Sequence, residues 1–156
     1  MLHWDPKPIN RSFLNTSNIK KYKKEMMQWY PVSHASNHIL LEELKGKAIL
    51  LPAVGPGNVG QLAMDILIES LSAEKIGVLS HPFLLPSVGV DAYSHQKAGT
   101  LCHPLELYHV RDSEYVLLQQ RSPASAGCQE EFSKDLLDWL VHSAQVSRVH
   151  ILIDYY

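Results

Sequence analysis

The stretch from Lys47 to Leu71 constrains the fold more than any other, because it passes from an apolar run through a glycine-rich bend into a helical pattern. Ala48 to Val54 are almost continuously apolar and stop at Gly55, as in a strand buried on both faces of a parallel sheet. Pro52 lacks a ladder donor, so the strand is expected to be irregular near its C-terminal end. After Gly60 the polar residues Gln61, Asp65 and Glu69 recur every fourth position as one narrow stripe, and Leu62, Ala63, Ile66, Leu67 and Leu71 fill most of the remaining circumference. A helix so apolar needs cover on more than one side.

The bend, Gly55-Pro-Gly-Asn-Val-Gly60, fits G-x-G-x-x-G between a strand and a helix, where a dinucleotide fingerprint would stand. That chemistry also needs an acidic residue about 20 positions later for the ribose. The next strand candidate, Ile76-Gly-Val-Leu-Ser80, runs into His81-Pro82 with no Asp or Glu at its end. The plainer reading is a tight turn in which glycine permits positive φ. A nucleotide-binding α/β enzyme using the Gly55–Gly60 loop stays as the alternative.

Net charge, −2 over 156 residues, hides an asymmetry: residues 1–47 carry eight Lys/Arg against four Asp/Glu, the remainder six against twelve. The acidic body argues against a nucleic-acid-binding core, which needs a phosphate-neutralising surface. Residues 1–37 form a basic head with the cluster Ile19-Lys-Lys-Tyr-Lys-Lys-Glu-Met-Met-Gln-Trp-Tyr30 and no sustained periodicity. A disordered, solvated extension is expected there, with a polyanion tether as the competing reading. The domain proper is expected over residues 38–156.

Further along, Ile76–Ser80 reads as a strand and Gly89–Gly99 as turn-rich. Leu101–Val110 and Tyr115–Gln120 read as a β-hairpin, Phe132, Leu136, Leu137, Trp139, Leu140 and Ala144 as one face of a helix, and Val149–Ile153 as a last buried strand. The order predicts an α/β sandwich, three layers with a mostly parallel central sheet plus a hairpin. No apolar run approaches the roughly 18 to 20 residues of a membrane span, so no membrane partner is expected. Cys102 and Cys128 make no disulfide framework, and Met1-Leu-His-Trp-Asp-Pro has no apolar signal-peptide core, so the expected compartment is reducing.

No constellation reads as catalytic. Cys102-His103 with His95 and His109 is the densest histidine group but lacks metal-ligand spacing, and neighbours on a strand point to opposite faces. Pro86-Ser-Val-Gly89 is no nucleophile elbow. Asp65 and Glu69, one turn apart, have no nucleophile nameable beside them and read as the wet stripe of an otherwise buried helix. No catalytic, cofactor-binding or metal residues and no cofactor are expected.

Leu50-Leu-Pro-Ala-Val54 followed by Gly57-Asn-Val-Gly-Gln-Leu-Ala-Met-Asp65 resembles the opening of the proteasome assembly chaperone 2 family. Lys75-Ile-Gly77, Leu85-Pro-Ser-Val-Gly89, Leu117-Leu-Gln-Gln-Arg-Ser122, Leu136-Leu-Asp-Trp-Leu140 and Ser147-Arg-Val149 resemble it in the same order, over roughly residues 40–153. The resemblance implies a non-enzymatic α/β domain that pairs with proteasome assembly chaperone 1 and helps 20S proteasome α-subunits form their ring, in cytoplasm and nucleus. It also implies a shortened or variant member, since complete members continue past the strand at Val149–Ile153. The hydrophobic-Tyr-any tail of related chaperones is not matched, because Asp154 precedes Tyr155. An exposed sheet edge near the last strand is the physical expectation.

Overall fold

The computed structural model describes residues 26–32, 41–91, 93 and 99–153. Its central sheet has six strands: β1 (Gln28–Pro31), β2 (Ala48–Pro52), β3 (Glu74–Ser80), β6 (Leu105–His109), β7 (Tyr115–Gln120) and β8 (Arg148–Leu152). A separate two-residue ladder joins β4 (Gly89–Val90) to β5 (Leu101–Cys102). Helix α1 spans Val59–Ser70 and helix α2 spans Gln129–His142.

Across the sheet the order is β1-β3-β6-β7-β2-β8. The α/β class is as the sequence predicts, but the sheet is mixed rather than mostly parallel. Only β2 with β7 and β2 with β8 pair in parallel, while β1 with β3, β3 with β6 and β6 with β7 are antiparallel. The physical reason is the β6–β7 hairpin, which folds into the middle of the sheet and separates β3 from β2. Two crossovers remain. The one through α1 leads from β2 towards β3, and the one through α2 leads from β7 to β8, so they advance in opposite directions. Right-handed crossovers that do so must lay their helices on opposite faces.

Side chains alternate accordingly. Ile49, Leu51, Leu105, Leu107, Val116 and Leu118 pack towards α2 with Phe132, Leu136, Trp139 and Leu140, while Leu50, Tyr108 and Leu117 pack towards α1 with Met64 and Ile68. The result is two cores, one on each side of the sheet, and hence three layers. The middle strands β6 and β7 are buried almost throughout, which suits a sheet covered on both faces. In α2, Glu130 and Glu131 in the first turn and His142 in the last complement the helix dipole.

Two expectations are revised at the sheet edges. Part of the basic head is not a solvated arm: Gln28–Pro31 pairs antiparallel with β3, held by Met27 and Trp29 against the α2-side core. Residues 1–25 and 33–37 lie outside the described residues, as do Asp154 and Tyr155. At the other rim Val149–Ile153, expected as a buried strand, is largely exposed, because among the described residues β8 pairs with β2 alone and its outer edge is open, with Ile151 half-exposed. Among the described residues no helix is long and apolar enough to cross a membrane.

Candidate protein-interaction site

Helix α1 begins after Asn58, whose left-handed φ of 53° makes the tight turn out of the loop. The positive φ therefore belongs to an asparagine and not to a loop glycine. Gly60 serves a different need: a Cβ there would lie 3.1 Å from the Ala53 carbonyl oxygen, 3.2 Å from that of Leu152 and 3.3 Å from the Pro52 Cβ. The helix thus sits directly on the ends of β2 and β8, and the loop's last glycine is a packing contact. Gly60→Ala is expected to cost about 1–3 kcal/mol by overpacking. Chemical denaturation reads this out, and an unchanged midpoint would remove the packing role.

The faces of α1 are not those the polar stripe suggests. Gly60, Met64 and Ile68 face the sheet, whereas Val59, Leu62 and Ile66 are 53%, 61% and 57% exposed. Asp65, expected on the wet stripe, is turned partly inward, and only Glu69 of that pair is exposed. The cause lies 28 and more residues away. Gln119 donates to an Asp65 carboxylate oxygen at 2.6 Å and to the Gln61 carbonyl oxygen at 2.9 Å, Arg121 pairs with Asp65 at 3.1 Å, and the Tyr93 hydroxyl donates to Asp65.

This cluster continues beneath the helix as a buried ionic network. Glu106, on β6, receives Lys75 at 2.7 Å, Arg121 at 3.4 Å, the Tyr108 hydroxyl at 2.9 Å and the His103 backbone N–H at 3.0 Å. Lys75 also reaches Asp91 at 3.0 Å. Burial first, then the neighbouring carboxylate, pushes the phenols of Tyr93 and Tyr108 well above the usual tyrosine range. Burial works against the charge on Arg121, but the Tyr93 oxygen and the Asp65 and Glu106 carboxylates outweigh it and hold the guanidinium more firmly charged. These charges are spent on one another. The network fixes α1 and the β4 segment to the sheet.

The histidine group is dispersed. His103 Nδ1 is 3.5 Å from Glu106, His109 shares a 2.9 Å hydrogen bond with Lys47, and His95 lies outside the described residues. Among the described residues no three potential ligands gather to hold a metal ion. Cys102 and Cys128 are free thiols. Ser87 is hydrogen-bonded to Ser122 at 2.6 Å rather than poised beside a base.

What the α1 side offers is surface. A cleft of about 470 Å³ runs from Asp65, Ile66 and Glu69 across to Val90, Cys102 and Arg121. Val88, Val90 and Leu101 beyond it are at least half-exposed, which extends the apolar ground started by α1. Exposed apolar ground of this kind, rimmed by charge, is typical of protein-binding faces. Sequence periodicity missed it because a helix apolar on nearly all sides does not say which side the sheet takes. The signal present was that excess itself.

The chain matches the PAC2 family over residues 49–152. It is 41% identical over 102 residues to proteasome assembly chaperone 2 of Nematostella vectensis, covering 63% of this chain and 42% of that relative. Its identity to the human protein of the same name is 38% over 112 residues, 70% of this chain and 42% of the relative. The chain thus spans about two-fifths of the length of these curated relatives. Among solved structures, Pyrococcus furiosus PbaB, described as an archaeal proteasome activator, superposes with a TM-score of 0.54 at 17% identity, covering 83% of this chain and 52% of that one. A Thermoplasma acidophilum protein of unknown function gives 0.57 at 21%, covering 74% and 46%. At such identities the superpositions speak for the fold. The sequence match, which runs from β2 to the end of β8, decides the family: the chain belongs to the PAC2 family.

Proposed function

We propose that this chain is a chaperone subunit for 20S proteasome assembly, pairing with proteasome assembly chaperone 1 and binding proteasome α-subunits, in cytoplasm and nucleus, without turnover or cofactor. The observation that carries this reading is the outward apolar face of α1, Val59, Leu62 and Ile66, on a helix held rigidly by the network behind it. Covering three such side chains is worth on the order of a few kcal/mol, enough to make them central to an interface. The names of the curated relatives support the direction. The mechanism is thermodynamic: binding an α-ring intermediate stabilises it and occludes competing contacts.

The test is a pull-down with the tagged full chain from cell extract. Both the sister chaperone and α-subunits are expected with the parent chain. Leu62→Asp/Ile66→Asp should lose at least the sister, while each exposed substitution changes stability by only about 0.5 kcal/mol. Recovery of neither protein by the parent chain would end the proposal. Imaging a fluorescent fusion checks the compartments, and exclusion from the nucleus would correct that part. The nucleotide-enzyme alternative gains no support from the loop, whose Gly60 is occupied by strand ends.

A further inference from the structure

The outer edge of β3 is occupied by a short piece of chain that lies outside the family match. Gln28, Trp29, Tyr30 and Pro31 stand opposite Ser80, Leu79, Val78 and Gly77, and the Val32 N–H donates to the Ile76 carbonyl oxygen at 3.1 Å. Only alternate residues turn inward: Met27 is buried in the α2-side core and Trp29 packs against it. The Trp29 indole lies diagonally across Gly77, where an added Cβ would fall inside the ring, and its centroid is 6.0 Å from that of Trp139. Gly77 and Trp139 therefore form a slot that takes a flat side chain beside the outer edge of β3. The fit is imperfect, because the buried indole N–H has no acceptor among the described residues.

A four-residue edge strand with two inward anchors, whose indole N–H meets no acceptor among the described residues, is less firmly secured than the buried central strands. We propose that the β3 edge is a strand-docking site for an extended segment of a partner protein bearing an apolar residue and an aromatic two positions apart, and that Met27–Pro31 is its intramolecular occupant. Backbone hydrogen bonds along β3 supply the binding, and the Gly77–Trp139 slot supplies the preference for an aromatic. The chain's own segment competes at high effective concentration, so only a better-fitting strand displaces it. The proposal does not depend on the chaperone reading.

The test uses the full chain and a fluorescent, end-capped peptide of residues 26–32, Met-Met-Gln-Trp-Tyr-Pro-Val, read by anisotropy. Trp29→Ala, which weakens the internal occupant, should bind the peptide at least tenfold more tightly than the unaltered chain. The same peptide carrying Trp29→Ala should not bind, and adding Gly77→Val to the Trp29→Ala chain should abolish binding. A cooperatively folded Trp29→Ala chain that ignores the peptide overturns the proposal. Should that variant fail to fold, amide exchange of the unaltered chain decides: the Val32 amide exchanging at least a hundredfold faster than Ile49 and Leu118 supports a displaceable strand, and equal protection refutes it. The unaltered chain should sediment as a monomer. A dimer abolished by Trp29→Ala would make a second copy the occupant and overturn the partner assignment.

Discussion

Replacing Glu106 by alanine is expected to lower the unfolding free energy by about 3–5 kcal/mol, as removal of one member of a buried ionic cluster does. Glu106 is fully buried, and Lys75, its nearest cation at 2.7 Å, has a side chain only 2% exposed. Without the carboxylate, Lys75 keeps Asp91 and the Leu101 carbonyl oxygen, Tyr108 loses its acceptor, and Arg121 falls back on Asp65 and the Tyr93 hydroxyl. Urea denaturation measures the loss as a lower midpoint at unchanged slope. The internal control is Glu74→Ala, which breaks the exposed pair with Arg111 and should cost about 1 kcal/mol or less. Equal effects of the two substitutions would show that the buried network carries no special weight.

Leu140→Ala should cost about 2–5 kcal/mol, the usual range for a large-to-small change in a well-packed core. Leu140 is fully buried on α2, in the core shared with Ile49, Leu105, Leu107 and Leu118, which the central strands hold rigidly and which cannot collapse freely around a void. Leu137, three residues earlier and half-exposed, lines an apolar cavity of about 310 Å³ with Phe132, Leu136 and Ile151. Leu137→Ala should therefore cost much less. Thermal melts of the pair give the comparison, and a Leu140→Ala loss no greater than that of Leu137→Ala would contradict the assignment of α2's inner face.

The contrast between α1 and α2 shows how much of this architecture is legible in the residues. In α2, Phe132, Leu136, Trp139 and Leu140 recur on one face and could be assigned to the core, although Leu137 proved half-exposed and Asp135 proved buried against His81. In α1 the three polar residues misdirect, because Gln119 and Arg121 reach across from β7 and just beyond it to claim Asp65. Periodicity is local, and it does not see a partner supplied from a distant strand. The apolar runs of β2, β6, β7 and β8 marked strands correctly, yet nothing in them tells whether a hairpin will insert between β2 and β3 and make two of the five pairings antiparallel. The four residues of β1 hid inside a basic segment whose composition spoke louder than its alternation. Of the interaction site, Ile66 and Leu62 were visible as surplus apolar residues, but their exposure follows from Gly60 settling on the strand ends.

With β1 and β8 at the two rims, five inter-strand spacings of about 4.8 Å separate the points where the backbone enters and leaves the sheet, on the order of 24 Å. Reporter groups or affinity handles joined beside Gln28 start well away from Leu62 and Ile66, whereas the Leu152 backbone lies against Gly60 at the start of that helix, so the β1 rim is the attachment route that leaves it unobstructed.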